Sequence, residues 1–446
     1  VNVVLISTYE LGRQPFGLAS PSAVLRRHGH EVICADLATG GLPVAAVRQA
    51  GLVAFHLPMH TATRLAVPVI DKVRRLNPDA HLCCYGLYAP LNERFLRAHG
   101  VGTLIGGEFE TTLASLADTL HRGERPDSDP TIVSLDRISF LPPDRSRLPE
   151  LQRYAHLVMN GDRRVVGYTE ASRGCKHLCR HCPVVPVYEG RFRIVPLEVV
   201  LADVRQQVAA GARHITFGDP DFFNGPAHAR AIVEAVHREF PDVTYDVTIK
   251  VEHLLKRRDL VPVLKETGCL FVTTAVESVD DLVLERLEKG HTRADFYELA
   301  RLFRGQGLSL APTFIPFTPW TTLAGYQHLL RAVAETGLAG SVSPIQLALR
   351  LLIPAGSRLL ELDDVRSVAG HFDPASLAHP WKHPDEQMDM LAERALNLVR
   401  RAQAKKAPRH EVFRQLWTMA HNSEPPDEFD LMPRCTVPYL EEPWYC

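Results

Sequence analysis

From residue 2 to about 121, short runs of β-branched and other apolar residues alternate with longer segments in which apolar positions recur every three or four residues. The first pattern has the period of a strand and the second that of an amphipathic helix. Residues 3–6, 31–35, 52–56, 81–84 and 101–105 predict strands, and 20–28, 61–76, 91–99 and 110–121 predict helices. Their alternation is that of a doubly wound, Rossmann-like parallel sheet. The loops at 9–17, 56–60, 85–88 and 106–108 are rich in small and turn-forming residues, and ligands of such sheets sit where these loops converge, at the carboxyl ends of the strands.

A polar, Pro-containing stretch breaks the pattern, and residues 122–164 read as a linker. Alternation then resumes, with strands predicted at 165–172, 213–217, 243–249, 269–277, 308–315 and 342–353 and helices at 196–210, 225–239, 252–267, 281–304 and 322–337. Six β/α units fall short of the eight of a closed barrel. The expected fold class is therefore α/β: a doubly wound domain over 1–121, a partial (β/α)6 barrel over 165–356, and a mostly helical region over 357–446 with a helix near 386–404 and a Cys-containing tail.

Composition narrows the reading without changing it. Hydrophobic residues make up 46% of the 446 residues and charged residues 23%, the balance of a globular chain with more than one core. Fifty basic against 52 acidic residues create no field that favours nucleic acid. No stretch approaches the roughly 20 apolar residues of a membrane span, and the first residues read as a buried strand rather than a signal peptide. Nine cysteines, three of them between 175 and 182, suit metal chemistry in a reducing compartment better than a disulfide framework, so a cytoplasmic location is expected.

Those three are Cys175, Cys179 and Cys182, spaced i, i+4 and i+7 just past a predicted strand. A loop of this length can wrap three thiolates around one face of an iron–sulfur cluster and leave the fourth iron open. The competing reading is a zinc site with His177 or His181 as fourth ligand.

The CxxxCxxC spacing after the first strand of a six-unit β/α domain resembles the radical S-adenosylmethionine (SAM) superfamily over about residues 165–355. The resemblance implies a [4Fe–4S] cluster on the three cysteines and SAM on the open iron. An electron from the cluster then cleaves a sulfonium carbon–sulfur bond, usually releasing a 5′-deoxyadenosyl radical. It also implies SAM contacts from His181 before the last cysteine, and from Asp219, where Gly218-Asp219 stands in place of the family's Gly-Gly-Glu. Glu277 and Leu352 complete the set, although Glu277 can equally be a helix cap and Leu352 ordinary core.

A doubly wound domain before such a barrel resembles the cobalamin-binding subclass, through Gly17 to Asp36 and through Gly106-Gly-Glu-Phe-Glu. This implies a B12-binding-type domain holding cobalamin between Glu10, Leu11, Gly17, His56, Pro58, His60, Gly86, Leu87, Tyr88, Gly107 and Glu108. The Asp-x-His-x-x-Gly motif that supplies an axial imidazole is missing, so cobalt would carry no protein histidine. The tail from Met432 resembles that of the CUAEP/CCAEP-tail radical SAM proteins, and makes Cys435 and Cys446 candidates for a catalytic thiol pair.

The function expected is reductive SAM cleavage by a cobalamin-dependent methyltransferase, acting on a small molecule or peptide and reduced by an external donor of flavodoxin or ferredoxin type. No nucleic acid or membrane partner is expected. Two alternatives stand beside it: transfer of SAM's aminocarboxypropyl group to a soft acceptor such as arsenic without cobalamin, and a non-enzymatic iron–sulfur redox sensor. Tyr188, Arg191, Arg193, Lys250 and Trp320 are candidate substrate contacts.

Overall fold

The computed structural model describes residues 1–124, 126, 131–427, 429 and 438–441. Strands β1 (Asn2–Ser7), β2 (Glu31–Asp36), β3 (Leu52–His56), β4 (His81–Tyr85), β5 (Thr103–Gly107) and β6 (Ile132–Ser134) form one sheet in the order β2-β1-β3-β4-β5-β6. All its pairings are parallel. Because the strand period is two, Val3 and Leu5 join the core under helices Phe16–Arg27 and Glu110–His121, while Val4 and Ile6 join the opposite core under His60–Leu76. β1 lies between β2 and β3, so the loops after β1 and β3 open side by side where the winding reverses.

β6 falls within the stretch predicted as linker. It is only three residues long and not buried, too short to register as a hydrophobic period.

A second sheet begins with β7 (His156–Met159) and β8 (Asp162–Thr169), an antiparallel hairpin whose turn, Asn160-Gly161, has φ of 51° and 83°, as the mirror-image hairpin turns require. β9 (Ser172–Gly174) and β10 (Phe192–Ile194) form an antiparallel ribbon that closes the base of the cysteine loop. Next come β11 (His214–Phe217), β12 (Thr244–Thr248), β13 (Cys269–Glu277) and β14 (Ser309–Phe314), with β15 (Tyr439–Leu440) at the far end of the chain. The order is β14-β13-β12-β11-β8-β7-β15, parallel from β8 through β14.

The strand predicted at 342–353 does not form. Pro344 opens a 3-10 turn, Pro344–Leu347, and beyond it only Arg350 bridges to Phe317. The apolar run that imitates a strand is buried as irregular chain, Leu351 and Ile353 packing with Val283, Leu287 and Leu359. Helix Glu386–Ala404 lies where the sequence predicts it and pairs with Arg409–His421 across the open side of the barrel. No helix among the described residues is long and apolar enough to cross a membrane.

Candidate active site

The cysteine loop leaves β9 through a backbone that contacts outside the loop hold in place. Asp219, just past β11, is buried, and its carboxylate accepts from the Ala171 N–H at 2.9 Å and the Ser172 hydroxyl at 2.5 Å. Asn224 donates to the Gly174 carbonyl at 3.3 Å and accepts from the Lys176 N–H at 3.3 Å. Gly174 has φ of 72°, and a Cβ there would come within 2.4 Å of both the Tyr188 ring and the Arg191 carbonyl, so only glycine fits. On the far side Arg180 donates to the Arg286 carbonyl at 3.0 Å, and Arg358 to that of Leu178 at 2.6 Å.

Burial pushes the Cys182 thiol up to about 12, with the nearby Cys179 and Cys175 adding to it, and burial also raises Cys175. Thiolates at these two positions therefore need a cationic centre beside them. The sulfurs do not gather within 4.8 Å of one another as a group that could hold one ion; a tetrahedral zinc with Zn–S of about 2.3 Å would hold them about 3.8 Å apart. The other described cysteines, 34, 83, 84 and 269, lie in strands β2, β4 and β13. Three thiols supplied by one loop could hold a polynuclear cluster.

At the barrel mouth, Glu277 ends β13 with φ of 68°, where the pairing with β14 shifts register. A left-handed glutamate is uncommon and marks a position over-determined by its surroundings. Its Oε1 stands 3.2 Å from His181 Nε2 and 3.4 Å from Lys289 Nζ. Burial opposes ionisation of Glu277, but the Lys289 ammonium and His181 outweigh it and hold the carboxyl at about 2. The cap of the following helix is Asp280, whose side chain accepts from the Leu282 N–H, so Glu277 is left for the mouth. His181 Nδ1 and both ring nitrogens of His291 are buried without a hydrogen-bond partner. Such atoms are costly unless a ligand meets them.

Among the residues named from the sequence, His181 and Glu277 thus come together. Asp219 accepts from the base of the cysteine loop with both carboxylate oxygens. Leu352 is 38% exposed on irregular chain between buried Leu351 and Ile353. Cys435 and Cys446 lie outside the described residues. Lys250 is buried at the mouth, whereas Trp320 donates to Asp364 at 2.9 Å and Arg193 to the Leu135 carbonyl. Tyr188 is buried behind the loop, and Arg191 is exposed.

Residues 169–324, which carry the cysteine loop, Asp219 and Glu277, match the radical SAM superfamily. The chain carries a radical SAM domain. The hopanoid C-3 methylase of Methylococcus capsulatus is 24% identical over 320 residues, covering 69% of this chain and 62% of that protein. A ribosomal protein uS12 methylthiotransferase of Porphyromonas gingivalis is 26% identical over 182 residues, 38% of this chain and 41% of its own. Among solved structures, the cobalamin-dependent SAM radical enzyme OxsB, with aqua-cobalamin and SAM bound, superposes with a TM-score of 0.71 at 15% identity, over 88% of this chain and 65% of that one. The radical SAM methyltransferase TsrM of Kitasatospora setae, bound to tryptophan and a SAM analogue, gives 0.66 at 16% identity over 90% and 89%. These two likenesses show the shared fold: a Rossmann-like parallel sheet joined to a curled half-barrel.

The first sheet meets the radical SAM domain at its carboxyl edge. Leu87 packs with Val184, Val187 and Tyr188, the group that also touches Cys175 and Cys182. Burial, and then Cys182, push the Tyr88 hydroxyl up. His56 Nδ1 is 2.6 Å from Glu10 Oε1, and its ring lies 2.0 Å from where a Cβ on Gly17 would stand. That glycine is required for the imidazole to lie on the backbone. His60 Nε2 is 2.6 Å from the Ser376 carbonyl. Pro58 is half-buried, while Gly86 and Gly107 turn with φ of 106° and 72°.

The strongest link between the two sheets is one the sequence did not reveal. Arg173 of β9 is buried and pairs with Glu170 at 2.8 Å, Glu108 at 3.2 Å and Glu110 at 2.6 Å. The rings of Phe16, Phe109 and Phe140 surround its guanidinium. Both glutamates of the Gly-Glu-x-Glu segment pair with this arginine, each through one oxygen, and the other oxygen of each is buried without a hydrogen-bond partner.

Inside the radical SAM domain is a cavity of about 980 Å³, lined by Thr216, Asp246, Thr248, Thr273 and Thr313 and reached by Leu11 and Arg13 from the first sheet's loop. Gln403 and His410 close its other side.

If the mouth binds SAM as its geometry suggests, Lys289→Met should weaken SAM binding by on the order of tenfold or more, the worth of one charge-assisted hydrogen bond. Equilibrium dialysis of the reconstituted variant measures it; unchanged affinity would remove Lys289 and Glu277 from the site. The same pair sets a pH dependence. Glu277 titrates below its ordinary 4.5, so its stabilisation is present above that value and is lost as pH falls toward about 2.

Proposed function

We propose that this chain is a radical SAM enzyme that cleaves SAM reductively at a [4Fe–4S] cluster on Cys175, Cys179 and Cys182, and that it uses cobalamin to methylate a small molecule or peptide. The observation that carries the reading is three thiols on one loop, with His181 Nδ1, next to Cys182, buried without a hydrogen-bond partner where Glu277 and Lys289 meet at the barrel mouth. Cluster and SAM together supply a carbon-centred radical when bound. The chain's own residues orient and exclude. His181 and Glu277 face SAM, Lys289 keeps Glu277 ionised, and Asp219 and Asn224 hold the loop. The Thr-lined cavity of about 980 Å³ is large enough to hold a substrate away from water. Residues 1–121 and 165–356 are the two working units, and an external flavodoxin or ferredoxin supplies the electron, which fits a cytoplasmic setting.

Cobalamin would lie at the carboxyl edge of the first sheet, among the loops of Glu10, Leu11, Gly17, Pro58, Gly86, Leu87, Tyr88 and Gly107. The edge fits in donor chemistry: Ser7 Oγ and Asn92 Oδ1 are buried there without a hydrogen-bond partner, and a corrin carries amides around its rim. His56 and His60 each have one ring nitrogen engaged, by Glu10 and the Ser376 carbonyl; that cobalt carries no protein imidazole rests on the missing Asp-x-His-x-x-Gly motif. Reconstituted protein should co-elute with hydroxocobalamin, and the EPR spectrum of its Co(II) form should lack nitrogen hyperfine coupling from an axial imidazole. A coupling traced to His56 or His60, or no corrin binding at all, would overturn this part.

One observation favours a second reading, aminocarboxypropyl transfer without cobalamin. Leu87, at the proposed corrin edge, itself packs on the group that touches Cys175 and Cys182, and Leu11 of the same edge lines the large cavity, so protein fills space that a corrin would need. Mass spectrometry of the SAM-derived products separates the two. Methyl transfer with 5′-deoxyadenosine supports the first, and 5′-methylthioadenosine supports the second.

A further inference from the structure

The cysteine loop carries a second set of metal-ligating side chains, distinct from its thiols. His177 stands between Cys175 and Cys179 in sequence, yet its Nε2 lies 3.6 Å from Asp221 Oδ2. His253, on the helix after β12, places Nδ1 2.7 Å from the same oxygen and Nε2 3.2 Å from His177 Nε2. Donor atoms of all three side chains lie within 4.8 Å of one another, and no other group of three or more His, Cys, Asp or Glu among the described residues converges so closely. Their side chains are 16%, 1% and 8% exposed.

We propose that His177, Asp221 and His253 bind a divalent transition-metal ion of the class of Zn²⁺ and Fe²⁺, which pins the cysteine loop to the segments following β11 and β12. Two nitrogens and one carboxylate oxygen are the donors such borderline ions take, with the remaining positions left to water. Ligands at about 2.1 Å from an ion lie about 3.0–3.4 Å apart for right-angled to tetrahedral arrangements; in the donor set His177 Nε2, Asp221 Oδ2 and His253 Nδ1, the 3.6 Å between His177 and Asp221 lies just above that range and the 2.7 Å between Asp221 and His253 just below it. A second observation points to a cation. Asp221 Oδ2 and His253 Nδ1 are close and buried, yet neither forms a hydrogen bond, so their approach lacks hydrogen-bond geometry. Behind His177, Glu252 Oε2 stands 3.7 Å from Nδ1, the place of the carboxylate that commonly orients a ligating imidazole. Glu252 also pairs with Lys250 and Lys256, which keeps their charge on a carboxylate next to the ion's site.

The test uses full-length protein with its cluster intact, incubated with Zn²⁺ and desalted. Parent protein should retain about one Zn²⁺ per chain, while His253→Gln and Asp221→Asn retain almost none, with cluster absorbance and circular dichroism unchanged. Zn²⁺ should also raise the thermal midpoint of the parent and not of His253→Gln, which reads binding even where a variant is less stable. No zinc on the parent overturns the proposal. So does equal retention by both variants, and so does zinc held only after the cluster is lost, which would place it on the thiols. Zinc retention does not depend on SAM cleavage, so its failure leaves the proposed function to its own tests.

Discussion

Replacing Cys175, Cys179 and Cys182 together by Ala should abolish both iron binding and SAM cleavage while leaving the fold close to the parent's. The thiols contribute little to holding the loop. Asp219 and Asn224 grip it on one side; on the other, the loop's Arg180 donates to the Arg286 carbonyl and Arg358 donates to the loop's Leu178 carbonyl. Losing the thiols therefore removes ligands without removing anchors, and circular dichroism should change little. Iron analysis after anaerobic reconstitution checks the claim. Retention of about four iron atoms per chain by the triple variant would remove these cysteines from the cluster.

Arg173→Met is expected to be the most destabilising single substitution at the junction of the two sheets. It strands Glu108, Glu110 and Glu170, all buried or nearly so, without their shared cation. Breaking a buried ion pair by removing one partner costs about 3–5 kcal/mol. Even with the arginine present, burial and then its opposition by Arg173 leave Glu170 at about 7. Without it, all three carboxyls rise above their ordinary values. A raised carboxyl destabilises the fold above its folded pKa and ceases to do so once protonated, so the deficit of the variant should shrink as pH is lowered from 8 toward 5. Urea unfolding at several pH values measures it. A deficit that is small, or that does not vary with pH, would show that the glutamates find other partners. Arg173→Lys should restore less than the full loss, because one ammonium cannot reach three carboxylates in the fork geometry of guanidinium.

The sequence disclosed the parts of the molecule that obey local periods. All five predicted strands of the first sheet form: the interior ones carry apolar residues on both faces, while the edge strand β2 buries Val32 and leaves Glu31 and Ile33 exposed. The cysteine spacing was equally plain, since it lies in contiguous sequence. Three things were less visible, each for a physical reason. The apolar run 342–353 reads as a strand, but Pro344 and Pro354 remove N–H groups that a ladder needs. The hairpin at Asn160-Gly161 had a strong turn signal, masked by the polar residues around it. The constellations of Arg173 with Glu108 and Glu110, and of His177 with Asp221 and His253, join residues from distant segments, and neither spacing nor period encodes such convergence. Sequence spacing also does not tell whether a carboxylate is spent. Asp219 stands where SAM contact is expected by resemblance, and the fold uses it on the backbone that carries the cysteines.

We propose that the loop of Cys175, Cys179 and Cys182 and the mouth around Glu277 act together on SAM. The most direct test is anaerobic: reconstituted parent protein is reduced, SAM is added, and the nucleoside and amino-acid products are identified by mass spectrometry beside the EPR spectrum of the reduced cluster. SAM should be consumed with release of a cleaved product, and its addition should alter the cluster spectrum, as expected when the open iron gains a ligand. An intact cluster whose spectrum ignores SAM, with SAM recovered unchanged, would contradict the account.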